Sequence, residues 1–192
     1  ASAKELGEAQ IEENVALEFI SSRQAIDPDE ILNKLDKENI SVIILEDKLY
    51  PKLLSEIYDP PPLLYFKGKM LREEFCIAVV GTRKFSGYGQ RAVEDIVRNL
   101  TANKISIVSG LALGIDTLAH NACLDAGGRT VGVLGSGLDA QSIYPSSSRF
   151  LTDKIVASGG LVISEFPLGT APLKFNFPQR NRGISGLSLC VL

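Results

Sequence analysis

Phe75-Cys-Ile-Ala-Val-Val80, followed at once by Gly81-Thr-Arg-Lys-Phe-Ser-Gly-Tyr-Gly89, decides the fold of this chain. The first run is apolar and of strand length, and the second is a glycine-rich turn. A helical pattern over 90–101 comes next, with Ala92, Val93, Ile96, Val97 and Leu100 on one face. The unit then repeats. Strand Ile105-Ser-Ile-Val108 precedes a helix carrying Ile115, Leu118, Ala119 and Ala122, and strand Thr130-Val-Gly-Val-Leu134 leads to a helix over 147–157. Strand Leu161-Val-Ile-Ser164 and an apolar run, Leu187-Ser-Leu-Cys-Val-Leu192, complete the series. Short apolar strands separated by amphipathic helices are βαβ units, so the fold class is α/β: a parallel, Rossmann-like sheet covered by helices on both faces.

Upstream the pattern differs. The first 40 residues read as helical: Ile11, Val15 and Phe19 recur at a spacing of four, with Ala16 and Ile20 beside them. Pro28–Leu35 reads as a second helix, with Pro28 in its first turn and Asp27 as its cap. Ser41-Val-Ile-Ile-Leu45 is a short strand. The stretch from Tyr50-Pro51 to Asp59-Pro-Pro-Pro62 reads as a linker or wrapping segment. The expected organisation is a helical N-terminal region over 1–45, a Pro-rich connection over 46–74 and a Rossmann-like domain over 75–192. The last run resembles a buried strand, which predicts that this domain continues past residue 192.

Of the 192 residues, 45% are hydrophobic and 22% charged, the balance of a globular protein rather than a disordered one. The sequence has no apolar run of membrane-spanning length and no signal-peptide layout, so a cytoplasmic location is expected. Cys76, Cys123 and Cys190 are isolated among apolar residues and read as buried free thiols. Charge is unevenly spread. Residues 1–60 hold fourteen acidic and six basic side chains, a net of −8, whereas residues 61–192 hold nine and fourteen, a net of +5. The second part is the one suited to a polyanion.

Ligands of open parallel sheets bind outside the carboxyl ends of the strands. Four of those ends are glycine-bearing here: Gly81 to Gly89, Ser109-Gly-Leu-Ala-Leu-Gly-Ile-Asp116, Gly135-Ser-Gly-Leu-Asp139 and Glu165-Phe-Pro-Leu-Gly169. Turns of this kind bring backbone N–H groups close to phosphate oxygens. The spacing Gly81, Gly87, Gly89, with no carboxylate after the second strand, does not fit a dinucleotide site, and no P-loop motif occurs. No cofactor is called for. The segment Pro172-Leu-Lys-Phe-Asn-Phe-Pro-Gln-Arg-Asn-Arg182 interleaves Lys174, Arg180 and Arg182 with Phe175 and Phe177 and has no acidic residue. Cations pair with phosphates, and aromatic faces stack unpaired bases. Arg83 adds a fork-shaped phosphate donor from the first turn. The chemistry thus singles out Arg83, Lys174, Phe177, Arg180 and Arg182, together with the glycine-rich turns that hold Gly81, Thr82, Ser109 and Gly110.

No residue is assigned to catalysis or metal binding. His120, the single histidine, has no nucleophile at a recognisable elbow and reads as a helix residue packing locally. Asp116 reads as a first-turn carboxylate stabilised by its helix dipole. Asp139 and Glu165 come from separate turns, and no local motif pairs them for metal-assisted hydrolysis.

Taken in order, Val79-Val-Gly-Thr-Arg83, Ser109 through His120, Gly132 through Asp139 with Tyr144-Pro145, Ser164-Glu-Phe-Pro-Leu-Gly169, Phe177 through Arg182 and Ile184-Ser-Gly-Leu187 resemble the DprA/Smf (DNA processing) family. Tyr50-Pro51 and Asp59-Pro60-Pro61 resemble it too, so the likeness spans roughly residues 46–192. It implies an extended Rossmann fold behind a SAM-like helical domain. It also implies cooperative binding and protection of single-stranded DNA, loading of a RecA-type recombinase in natural transformation, and a homodimer. By the family pattern the DNA contacts fall on Gly81, Arg83, Ser109, Gly110, Lys174, Phe177, Asn181 and Arg182. Gly183 stands where the family usually has an apolar residue, which predicts an altered strand entry, and the family's further winged-helix module has no counterpart in this sequence. The alternative expectation is a Rossmann-fold enzyme processing nucleotides with the same loops. Its PGG-x-GT-x-x-E signature is missing.

Overall fold

A computed structural model describes residues 2–24 and 26–192; Ala1 and Ala25, both inside the stretch read as helical, lie outside the described residues. The chain divides into two compact units, residues 1–37 and 38–192.

The first unit holds α1 (Ala3–Glu8), α2 (Glu13–Gln24) and α3 (Pro28–Lys37). Ser2 and Glu5 form a reciprocal capping box on α1. Asp27 caps α3 as expected, its Oδ1 accepting from the N–H groups of Asp29 at 2.9 Å and Glu30 at 3.3 Å. The spacing of Val15 and Phe19 proves a poor guide to burial: both are about half exposed, whereas Ala16 between them is buried.

The second unit is built on one seven-stranded sheet. Its elements in chain order are β1 (Ser41–Ile44), α4 (Lys52–Ser55), β2 (Leu63–Gly68), β3 (Cys76–Ala78), α5 (Gly87–Ala102), β4 (Ser106–Ser109), α6 (Ile115–Asp125), β5 (Thr130–Leu134), α7 (Ser148–Ala157), β6 (Leu161–Ser164), α8 (Asn176–Gly186) and β7 (Cys190–Val191). The strand order is β1-β2-β6-β5-β4-β3-β7. From β6 to β7 all pairings are parallel, while β1 and β2 join antiparallel at the β6 edge.

Part of the stretch 46–74, expected as a Pro-rich linker or wrapping segment, is thus regular sheet. Pro60, Pro61 and Pro62 stop regular structure only locally, and Leu63–Gly68 enters the sheet against β6. The break between units falls at residue 37, ahead of β1, rather than at 45.

Alternation along the strands sorts the core into two layers. Cys76, Ala78, Val108, Val131, Val133, Leu161 and Ile163 face Leu54 of α4 and Ile184 of α8. Ile107 and Val79 face Val97 of α5 and Ile115, Ala119 and Cys123 of α6. Helices thus cover both faces. Cys76 and Cys123 are buried thiols, but Cys190 is exposed on the short edge strand β7, against expectation.

Residues Asn176–Gly186, which take in most of the cation- and aromatic-bearing segment and Gly183, form the helix α8. Pro178 sits in its first turn, where a missing N–H breaks no hydrogen bond. Gly183 is consequently a helix residue, not a strand entry: a Cβ there would lie 3.5 Å from Val133 Cγ1, an ordinary contact. Gly186 is tighter, because a Cβ would come within 2.9 Å of Leu54 Cδ1. Its small size lets α8 close on α4.

Candidate nucleic-acid interface

In chain order β3, β4, β5 and β6 run outward to one side, and the chain then returns to place β7 on the other side of β3. The crevice beyond the carboxyl ends of β3 and β7 is therefore a topological switch point, where parallel α/β sheets receive ligands. A cleft of about 530 Å³ opens there, lined by Gly81 and Arg83 of the first turn, Val191 of β7, and Phe177, Asn181 and Arg182 of α8. A narrower crevice adjoins it between Arg83, Gly110, Gly135, Tyr144, Pro145 and Phe177. Arg83 and Phe177 belong to both. A larger cavity of about 620 Å³ lies at the opposite end, by the strand starts Cys76, Val131 and Leu161, and is mainly apolar. It is remote from the glycine-rich turns.

The first turn is locked by its neighbours. The Ile115 N–H donates to the Thr82 carbonyl at 3.2 Å. Gly114 has φ +91°, and a Cβ there would collide with the Thr82 carbonyl and stand 2.6 Å from Arg83 Cα. The Thr82 hydroxyl closes the turn by accepting from the Lys84 N–H at 3.1 Å, and Ser86 caps α5. What projects is charge. Arg83 and Lys84 are exposed, and among the described residues neither meets a carboxylate.

The second turn gives a different answer from the sequence. Ser109 is fully buried, and its hydroxyl donates to the Val79 carbonyl at 2.6 Å. The Gly110 N–H donates to Asp116 Oδ2 at 3.2 Å. Both backbone and side-chain donors expected to cradle phosphate are thus used inside the fold. Asp116, only 5% exposed, is the organiser of this turn and also accepts from the Ala112 N–H at 3.4 Å. Burial pushes its carboxyl pKa upward, against the opposing pull of Arg180 and the turn's amides.

Arg180 and Arg182 are likewise engaged within the fold. Arg180 is 5% exposed, and its Nη1 donates to the carbonyls of Val133, at 2.6 Å, and Gly110. It bolts α8 to the ends of β4 and β5 rather than presenting a cation. Arg182 donates to Glu165 and to the Asp59 carbonyl, with the Asp59 carboxylate at 3.5 Å. Although it lines the cleft, its charge is already matched. Glu165 is held with its pKa raised by burial, the Arg182 charge partly offsetting this.

Phe177 is half-buried. Its ring packs over Gly135, where a Cβ would lie 3.1 Å from Phe177 Cδ1, and stands 6.3 Å from the Tyr144 ring at 55°. Asn181 is exposed on the same helix. Lys174 is exposed two residues before α8 and lines neither cleft. Of the ten expected contacts, Gly81, Thr82, Arg83, Phe177 and Asn181 thus gather at accessible positions along the switch point. Tyr144 and Lys84 were missed. Tyr144 stood out only beside Pro145, and its pairing with a ring 33 positions away along the chain leaves no local signal.

The remaining polar residues are engaged in the fold. Asp139 accepts from the Gly169 N–H at 2.7 Å and the Ser142 hydroxyl at 2.8 Å. His120 is completely buried on α6, with Nδ1 2.7 Å from Thr130 Oγ1.

Fold and site together define a Rossmann-like α/β protein with a cationic, aromatic-walled cleft at its switch point. The family model described as DNA recombination-mediator protein A matches residues 41–192, and the chain belongs to that family. The DNA processing protein DprA of Streptococcus pneumoniae is 49% identical over 148 residues, covering 77% of this chain and 51% of that protein. The X-ray structure of DprA from Streptococcus pneumoniae aligns with a TM-score of 0.77 at 43% identity, covering 90% of this chain and 59% of that one. A structure of DNA processing protein A from Helicobacter pylori, concerned with its single-stranded DNA binding mode, aligns with a TM-score of 0.68 at 32% identity, covering 79% and 67%. The chain spans about half the length of the curated relatives it matches. No helix among the described residues is long and apolar enough to cross a membrane.

Proposed function

We propose that this chain binds single-stranded DNA without catalysing a reaction on it, in the service of recombinase loading during natural transformation. One observation carries the reading: the exposed, carboxylate-free Arg83 shares two adjoining clefts with the half-buried ring of Phe177. A phosphate and an unpaired base are the two ligands that this pair suits, and a duplex offers no free base face. Family membership supports it, as does the similarity to the Helicobacter pylori protein. The nucleotide-processing alternative draws no support from Asp116, Asp139 or Glu165, whose oxygens are occupied by amides, a hydroxyl and Arg182. A RecA-type recombinase and a second copy of the protein are the partners proposed on family grounds.

The deciding experiment is an anisotropy titration with labelled dT20, its duplex with dA20, and free nucleotides as competitors. The expected result is tight binding of the single strand, weak binding of the duplex, and no competition by nucleotides at equal concentration. Equal affinity for duplex, or turnover of a nucleotide, overturns the reading.

A further inference from the structure

We infer that the DNA track does not end at the switch point but continues along the start of α7 as a second stacking and phosphate subsite formed by Arg149, Phe150 and Lys154. The inference rests on the single-strand reading above.

Three observations join up. Phe150 is 71% exposed, far more than a core-forming aromatic, and Lys154 Nζ sits 5.7 Å from its ring centroid. A cation over one aromatic face prepays the ordering of both side chains and leaves the other face open. Arg149 is exposed, and its Nη2 reaches back to the Gln141 carbonyl at 3.4 Å, in the loop that carries Tyr144. Among the described residues neither Arg149 nor Lys154 meets a carboxylate within ion-pair distance. Tyr144, half exposed, in turn stands against Phe177 at the cleft. The Phe177–Tyr144 ring pair is thus followed along the chain by Arg149, Phe150 and Lys154, rings and unpaired cations of the kind a single-strand groove uses, with Asp153 the one exposed carboxylate beside them on α7. The track is also anchored to the site, because Ser148, the first residue of α7, donates its hydroxyl to the Leu111 carbonyl of the second turn at 2.8 Å.

An extended strand held at the switch point would leave that cleft onto this surface, so the subsite matters only for strands long enough to reach it. The test compares dT6 with dT20 on the intact chain, using Phe150→Leu, Phe150→Tyr and the double variant Arg149→Ala/Lys154→Ala, each checked for an unchanged melting temperature. For dT20, Phe150→Leu is expected to weaken binding about fivefold or more with the salt slope unchanged, while Phe150→Tyr retains affinity. The double variant should lower the salt slope by about 1.4, two phosphates at roughly 0.7 each. For dT6 all variants should match the parent. Parent-like dT20 affinity in every variant overturns the subsite while leaving the switch-point reading intact. Absence of dT20 binding by the parent chain overturns both.

Discussion

Gly81 lies directly against Ile115: a Cβ at Gly81 would stand 2.8 Å from Ile115 Cγ1, closer than real side chains approach. The turn that carries Arg83 is therefore seated on the first residue of α6, and the position of the cation is set by packing rather than by a partner charge. Gly81→Ala is expected to cost about 1–3 kcal/mol, the usual range for overpacking. Urea denaturation measures this, and the same variant should bind dT20 more weakly because Arg83 is displaced. Parent-like stability would mean that the turn can shift freely.

Arg83 and Arg180 should separate cleanly. Arg83→Ala removes an exposed cation and is expected to leave stability within about 0.5 kcal/mol while weakening DNA binding. Arg180→Ala strands the buried Gly110 and Val133 carbonyls and removes the positive charge that partly offsets the burial of Asp116, so a loss of about 1–3 kcal/mol is expected. Thermal melts of the two variants side by side check the contrast. If they reverse, Arg180 is the ligand and Arg83 the strut.

Salt dependence distinguishes contacts from supports. Arg83→Ala should weaken binding to all sequences alike and flatten the log–log salt slope by about 0.7. Phe177→Ala should cost about 1–3 kcal/mol with the slope preserved, since stacking releases no counterions. Arg182→Ala is expected to change affinity with little change in slope, because its guanidinium is spent on Glu165 and Asp59. Titrations at four salt concentrations suffice.

His120 predicts an acid sensitivity. Burial first, and then the Arg180 charge, drive its pKa from the ordinary 6.5 down to about 3. The unfolded chain then binds the extra proton between those values, so stability is full above pH 6.5 and falls as pH drops through the window toward 3. The slope contributed is up to about 1.4 kcal/mol per pH unit. Stability measured against pH should be flatter in His120→Gln across that range. Equal slopes in the two proteins would place the acid sensitivity elsewhere.

The repeating units were legible from apolar spacing, a local property: β5 and β6 fall on the residues expected, and α5, α6 and α7 within a few. The sequence also marked the first turn and Phe177. That Leu63–Gly68 joins the sheet could not be read locally, since pairing with β6 connects residues nearly a hundred positions apart. The same is true of the cations. Composition could not tell Arg83 from Arg180 or Arg182, three guanidinium groups near one edge. Whether such a group meets a ligand or a carbonyl depends on what the fold buries beside it: Val133 and Gly110 take one, Glu165 and Asp59 another, and Arg83 is left facing the cleft.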